Sequence, residues 1–297
     1  MPQRTWFITG VSSGFGRHLT DQLLNRGDRV IGTVRDTRKV TDLIKRYPQA
    51  FHAEVLDMTD TAAIRDLVER SFAQHGRIDV IISNAGYGLF GAAEELTDEQ
   101  VEHIVATNLV GPIHLIRAAL PHLRAQGGGG VIQISSYGGQ VAFPGNSMYH
   151  ATKWGIEGFV ESVAQEVAPF GIGVTIVEPG GARTEFRYGS AQVAKLMPIY
   201  DQTPAHSFLR MLDPKSAPPP VTRPGWPRAS SRASTWSLHR CAWCLAHRRW
   251  KAPLRPCASG SLASKRRLSS PLQRTSRPGR DRCEARALVQ VTAHRAC

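Results

Sequence analysis

Six short apolar runs divide the first part of the chain: Thr5–Thr9, Arg29–Val34, Phe51–Val55, Val80–Ser83, Val131–Ser135 and Val174–Val177. Between them lie longer amphipathic stretches near 15–26, 60–75, 98–126 and 149–169. In the last of these, Ile156, Phe159, Val160, Val163 and Val167 recur with helical period. Gly127–Gly130 closes the long third stretch and turns the chain into the next run. Strands that alternate with helices in this way predict an α/β fold, a doubly wound parallel sheet with helices on both faces. Ligands on such sheets sit at the carboxyl ends of the strands, so the loops after each run carry the functional information.

The first such loop is Thr9-Gly10-Val11-Ser12-Ser13-Gly14-Phe15-Gly16. Between a strand and a helix, its glycines permit a tight turn, and the helix N-terminus offers unpaired N–H groups to a pyrophosphate. The second strand ends in Val34 and continues into Arg35, with Arg38 and Lys39 close by. An acid there would suit a ribose 2′-hydroxyl; an arginine suits a 2′-phosphate, so NADP(H) is favoured and NAD(H) is the alternative. Asp36 weighs against this, since it offsets the local positive field. The later loops are Asn84-Ala85-Gly86, Ser135-Ser136 and Pro179-Gly180-Gly181, the last with Thr184 within reach. Each is also an ordinary turn; their convergence on one sheet edge is what points to a site.

Tyr149 and Lys153 are four residues apart in a helical stretch, with Ser136 thirteen residues upstream of the tyrosine. The i,i+4 spacing puts phenol and ammonium on one helix face. A neighbouring cation favours the phenolate, so the tyrosine is expected below its ordinary value of about 10. Such a group suits proton transfer in carbonyl–alcohol interconversion. Strand alternation sends Ser135 and Ser136 to opposite sides. His150 is expected to point away from the Tyr149–Lys153 face. Asn108 reads also as a polar break in its helix, and Asp57 as a turn or cap before the helix near 60.

Taken in order and at this spacing, the Thr9-to-Gly16 loop, Asp57, Asn84-Ala85-Gly86, Asn108, Ser136, Tyr149 with Lys153, and Pro179-Gly180 with Thr184 resemble the short-chain dehydrogenase/reductase superfamily over about residues 3–212. The resemblance implies a Rossmann-type fold and an oxidoreductase interconverting a carbonyl and an alcohol. It implies Tyr149 as general acid or base, Lys153 as the group that tunes it and holds the nicotinamide ribose, and Ser136 as the partner of the reacting oxygen. Asn108 would hold a water linking Lys153 to solvent. Gly10, Gly14 and Gly16 would cradle the pyrophosphate; Asp57 would contact adenine, Asn84 the adenosine side, and Thr184 the carboxamide. Ser12, Ser13, Phe15, Ala85, Pro179 and Gly180 belong to the same cofactor-binding loops. The segment Glu185–Leu212 would cover the substrate; its Phe186, Tyr188, Leu196, Met197, Phe208 and Met211 suggest a hydrophobic carbonyl or alcohol. A homo-oligomer is also implied.

The end of the chain departs from this pattern. Residues 213–297 carry eighteen Lys and Arg against three Asp and Glu, while residues 1–212 carry nineteen against twenty-one. The formal charge of +13 therefore describes the tail alone. All five cysteines lie there too. The domain division is thus 1–212, catalytic, and 213–297, a basic Pro/Arg/Ser-rich tail expected to be disordered. A family member would place a helix and final strand here, followed by a segment at the substrate side and subunit interface. Three readings compete. Runs such as Lys265-Arg266-Arg267 suit nucleic acid; Cys241-Ala242-Trp243-Cys244 lacks the second pair of a metal site, so no metal is expected; a reading-frame shift near Ala217-Pro218-Pro219-Pro220 is favoured. In the shifted register the T that opens every Trp and Cys codon becomes a middle base, so Trp226, Trp236, Cys241, Trp243 and Cys244 all become apolar. Compatible codons then allow an Asp-capped amphipathic helix, a proline break and an apolar strand. The final strand is accordingly expected to be missing, which leaves a non-catalytic or defective dinucleotide-binding protein as the alternative function. Trp6-Phe7-Ile8-Thr9-Gly10 reads as a buried strand at the start of the chain, with no secretory signal. With no eighteen-residue apolar run, the expectation is a cytoplasmic protein with no membrane partner.

Overall fold

Strand alternation and β-branched residues build the sheet. In β1 (Thr5–Thr9), Phe7 faces one side while Trp6 and Ile8 face the other, and each joins a different buried cluster. The same split repeats in β2 (Arg29–Val34), where Ile31 opposes Val30 and Val34. With β3 (Phe51–Val55), β4 (Val80–Ser83), β6 (Gly129–Ile134) and β7 (Ile172–Val177) they form six parallel strands in the order β3-β2-β1-β4-β6-β7. This computed structural model describes residues 2–180, 191–212 and 291–292.

Helices cover both faces, as their apolar stripes require. Helices α3 (Thr61–His75), α5 (Gly111–Ala125) and α6 (Ser147–Val167) bury Ile64, Leu67, Leu115, Ile116, Ile156 and Val160 against Phe7, Ile81 and Val131. On the opposite face α1 (Gly14–Asn25) and α2 (Thr41–Arg46) bury Leu19, Leu23, Leu24 and Leu43 against Trp6, Ile8 and Val30. Among the described residues, these are the helices that cover that face. Helix α2 and the preceding 3-10 turn, Thr37–Val40, are additions to the expected pattern.

The long third helix is continuous over Asp98–Ala125 but changes geometry within. Helix α4 (Asp98–Val105) runs into a π-helical turn, Ala106–Val110, and then into α5. Pro112 has no N–H, so the carbonyl of Asn108 lacks its α-helical donor, and the backbone widens at that point. By length and hydropathy this run could cross a membrane. Its Leu115, Ile116, Ala119 and Leu123 are nevertheless buried in the sheet-facing core, where a core helix meets the same test.

Two features bear on the expected missing strand. Among the described residues, no parallel strand follows β7 in the large sheet; instead β9 (Val291–Thr292) runs antiparallel beside Ile176 and Val177. A separate two-strand ribbon, β5 (Leu89–Phe90) with β8 (Gln192–Val193), ties the segment after residue 190 to the loop after β4. The proline run near 217–220 and all five cysteines lie outside the described residues.

Candidate active site

A cleft of about 840 Å³ runs along the carboxyl ends of the strands and is lined by the loops that follow β1, β2, β3, β4, β6 and β7. At its centre the first loop meets the N-terminus of α1. Gly10 and Gly14 have φ of +73° and +56°, which L side chains rarely adopt. Ser13 makes no side-chain cap to α1, so the first-turn N–H groups face the cleft unspent by it. Gly16 also has a packing task. A Cβ there would meet the Gly10 carbonyl oxygen at 2.2 Å and Asn84 Nδ2 at 2.5 Å, so its missing side chain lets the helix seat on the loop. Ser12, Ser13 and Phe15 line the cleft with Gly10 and Gly14.

Thr9 and Asn84 lock β1 to β4. Thr9 Oγ1 accepts from the N–H groups of Asn84 (2.9 Å) and Ala85 (3.0 Å). Asn84 Nδ2 donates back to Thr9 O (2.8 Å) and Gly10 O (3.0 Å). Thr9 is fully buried, so it supports the wall that Asn84, Ala85 and Gly86 present to the cleft. Gly86 is small for a reason: a Cβ would come within 3.0 Å of Asn108 Oδ1.

At the far end, Arg35 and Lys39 line the cleft. The competing Asp36 is turned to Arg38, whose Nε and Nη2 donate to it at 2.9 and 2.8 Å, and the guanidinium holds its carboxyl below the usual range. Asp57 lines the same end while its Oδ1 accepts from Thr59 N (2.8 Å) and Oγ1 (2.7 Å). These hydrogen bonds, with Arg35 nearby, keep its carboxyl low despite desolvation, the largest single influence on it. Asp60, not Asp57, caps α3. His103 and Thr107, which sequence reasoning passed over, complete this wall.

At the other end Ser136, Tyr149 and Lys153 converge. Tyr149 is 9 % exposed, and its hydroxyl hydrogen-bonds Ser136. Ser136 Oγ also accepts from Gly138 N at 3.0 Å. Lys153 lies below with Nζ 5.8 Å from the centre of the Tyr149 ring, donating to Ile134 O at 3.1 Å. The expected lowering of the phenol is overturned. Burial pushes Tyr149 up to about 12, outweighing the Ser136 hydrogen bond, and pulls Lys153 down to about 8. Tyr149 loses more hydration than the Ser136 hydrogen bond returns, and Lys153 more than the nearby Glu157 charge returns.

Asn108 occupies the π turn. Its Oδ1 accepts from Tyr87 N (3.0 Å) and its Nδ2 donates to Tyr87 O (2.8 Å), so the side chain is spent on the backbone after β4. Its main-chain carbonyl lacks the α-helical donor, because the residue four positions on is Pro112. His150 also differs from expectation. It is buried, with Nδ1 against Gly138 O (2.7 Å) and Nε2 accepting from Phe143 N (3.0 Å). It clamps the loop after Ser136 to α6, with neither nitrogen left for proton transfer. Pro179 and Gly180 line the cleft; Thr184 lies outside the described residues, as do Phe186 and Tyr188.

The segment from residue 191 to the last described helix, whose Ala191 and Gln192 line the cleft, is pinned by a buried acid. Glu95 accepts from Met197 N (2.6 Å), Ala92 N (2.6 Å) and His206 Nε2 (2.7 Å), the last from α7 (Pro204–Leu212).

Over residues 4–193 the sequence matches the short chain dehydrogenase family. The chain belongs to that family. Among solved structures, a short-chain dehydrogenase from Streptomyces avermitilis is 42% identical, with a TM-score of 0.66, covering 69% of this chain and 78% of that one. A metagenomic short-chain oxidoreductase in complex with NADP is 32% identical, with a TM-score of 0.57, covering 61% and 83%. Among curated relatives, a 3-ketodihydrosphingosine reductase of Bacteroides thetaiotaomicron is 38% identical over 205 residues, 69% of this chain and 73% of its own. The coarse class follows: a short-chain dehydrogenase of the dinucleotide-dependent oxidoreductase kind.

Proposed function

We propose that this short-chain dehydrogenase interconverts a hydrophobic ketone and its alcohol with NADP(H), using Tyr149 as the proton donor and acceptor. The observation that carries the reading is the convergence of Ser136, Tyr149 and Lys153 at one end of a cleft whose other end presents Arg35 and Lys39. The glycine cradle at Gly10 and Gly14 and the open N-terminus of α1 fit a pyrophosphate, and the arginine end fits a 2′-phosphate. A nicotinamide bound there would supply the hydride for the carbonyl carbon.

The chain's own residues then do three things. Ser136 and Tyr149 hydroxyls hold the carbonyl oxygen from two sides, so negative charge developing on it meets two donors. Tyr149 gives its proton to that oxygen, which completes the alcohol. The Lys153 ammonium stabilises the phenolate left behind, and a water on the Asn108 carbonyl returns the proton from solvent through Lys153. An apolar substrate is supported by Phe90, Phe143 and Tyr87 along this end and by the name of the ketodihydrosphingosine reductase.

The test is NADPH oxidation by the full chain with a panel of long-chain and cyclic ketones, beside thermal-shift titration with NADPH and NADH. Turnover with an NADPH-specific thermal shift supports the reading. NADPH binding with no turnover across the panel sinks it in favour of a non-catalytic dinucleotide-binding protein.

A further inference from the structure

Glu157 follows Lys153 by four residues and Tyr149 by eight, so all three lie on one face of α6. It is 4 % exposed, and its burial is built rather than incidental. Ser135 Oγ hydrogen-bonds Glu157 Oε1, and Gln140 Nε2 donates to Oε2 at 2.5 Å. Gly139 leaves the space it fills: a Cβ there would sit 1.8 Å from Oε1. Ser135, Gly139 and Gln140 belong to the loop that carries Ser136. One carboxylate thus holds that loop against the helix that carries Tyr149 and Lys153.

The same carboxylate is the acid whose charge acts on Lys153. Lys153 is 5 % exposed and its ammonium donates to Ile134 O, leaving it short of water. A buried cation of this kind stays charged only with an anion or strong dipoles nearby. The groups facing Glu157 are Tyr149, Lys153 and Glu161 on α6, Ser135 and Gln140 from the loop, and Glu178 after β7, which Gln140 reaches at 3.4 Å; the Glu157 charge also adds to the upward push on Tyr149. Burial, the largest influence, and Glu161 push the Glu157 carboxyl above its ordinary value, while Ser135, Gln140 and Lys153 favour the ionised form.

We propose that Glu157 is a positioning residue for the site: it keeps Lys153 charged near neutral pH and fixes the loop that presents Ser136. This rests on the roles proposed above for Lys153 and Ser136. Burial pulls Lys153 down to about 8 with Glu157 working in the opposite direction, so removing the acid must lower it further.

The experiment is a lysine titration by NMR on full-length protein carrying [13C]lysine, with the Lys153 signal assigned by its loss in Lys153→Met. In Glu157→Gln the Lys153 midpoint is expected to fall by about 0.5–1 pH unit, less than the full effect of a contacting charge. Glu178→Gln should leave it in place. In ketone reduction the alkaline fall of kcat should move to lower pH in Glu157→Gln by a similar amount. A Lys153 midpoint unchanged in Glu157→Gln, or equally lowered in Glu178→Gln, overturns the proposal, even if thermal stability drops. Glu157→Asp keeps the charge and carries the test if Glu157→Gln does not fold: the midpoint should stay with the parent, and a drop with the charge present counts against the idea. Because the titration needs no turnover, an inactive chain would refute the oxidoreductase reading without touching this result.

Discussion

Alanine at Gly16 and alanine at Gly158 should move stability in opposite directions, although both glycines lie within helices. At Gly16 the new Cβ would lie 2.2 Å from Gly10 O and 2.5 Å from Asn84 Nδ2. Reaching an ordinary contact of about 3.5 Å requires a backbone displacement of roughly 1 Å. The displaced groups are not free to yield, because Asn84 Nδ2 already bridges Thr9 O and Gly10 O. Overpacking of this kind costs about 1–3 kcal/mol, and weakening the two hydrogen bonds adds about 0.5–1.5 kcal/mol for each one lost. The helical preference of alanine returns only about 0.5–1 kcal/mol. Gly16→Ala should therefore destabilise by about 1–5 kcal/mol, each kcal/mol lowering Tm by roughly 2–4 °C. Gly158 has nothing within 4 Å of its Cβ position, so Gly158→Ala keeps the helical gain and should stabilise by about 0.5–1 kcal/mol. Paired urea and thermal melts, with an NADPH titration on each variant, read both effects. Gly16→Ala should also weaken NADPH binding, since the strained loop is the proposed phosphate cradle. A Gly16→Ala protein as stable as Gly158→Ala would refute the close seating of α1 on the first loop.

Three further outcomes can be measured directly. Tyr149→Phe should cut ketone turnover by about 10²–10⁴ with little change in NADPH affinity, and equal activity would overturn the proton role. Arg35→Ala should weaken NADPH by about 10- to 100-fold in fluorescence titration, the loss of one charge-assisted contact, while NADH binding holds; a parallel loss for NADH would argue against 2′-phosphate recognition. The Glu95 carboxyl is held below its ordinary value by the N–H groups of Met197 and Ala92 and by His206, against a desolvation that acts the other way. The folded chain therefore binds that proton less readily than the unfolded one. The stability it supplies is complete above about 4.5 and is lost as pH falls through the folded value. Glu95→Gln should flatten the acid limb of a stability–pH curve, and an unchanged limb would show that the Glu95 hydrogen bonds to Met197, Ala92 and His206 do not stabilise the folded chain.

The sheet was legible because each strand is a dense apolar run whose alternating residues meet two different helix layers; Trp6, Phe7 and Ile8 alone encode both faces. Short elements were not. Helix α2 spans only Thr41–Arg46, too few residues for a period to show, and its approach depends on Asp36 accepting from Arg38 N. The β5–β8 ribbon joins two-residue strands separated by a hundred residues, a pairing local pattern cannot encode. In the site, Ser136, Tyr149 and Lys153 could be found because a helix and a strand end fix their spacing. Glu157 was missed although it continues the same i,i+4 row, because its significance comes from Ser135, Gly139 and Gln140 folding back onto α6. His150 escaped for the same reason: its partners Gly138 and Phe143 are brought to it by the loop. Spacing also misled about Tyr149, since it shows that a cation is near but not that water is gone.

That reversal bears on direction. A phenol pushed up to about 12 is protonated throughout the neutral range, so the proposed proton donor is loaded before substrate arrives. Reduction of a ketone can use it as it stands. Oxidation of an alcohol needs the phenolate, which must be generated against the burial that favours the neutral form. Lys153, pulled down to about 8, is close enough to neutrality to pass a proton and still carry charge at pH 7. The cation is therefore set to replenish Tyr149 after it donates, rather than to hold it ionised at rest. On the proposed mechanism, the alcohol-oxidation rate should rise with pH to well above 8 while ketone reduction is already near its plateau at pH 7. Initial rates in both directions with one substrate pair across pH 6–10 would show it, and oxidation saturating below pH 7 would mean that the bound dinucleotide, not burial, sets the phenol.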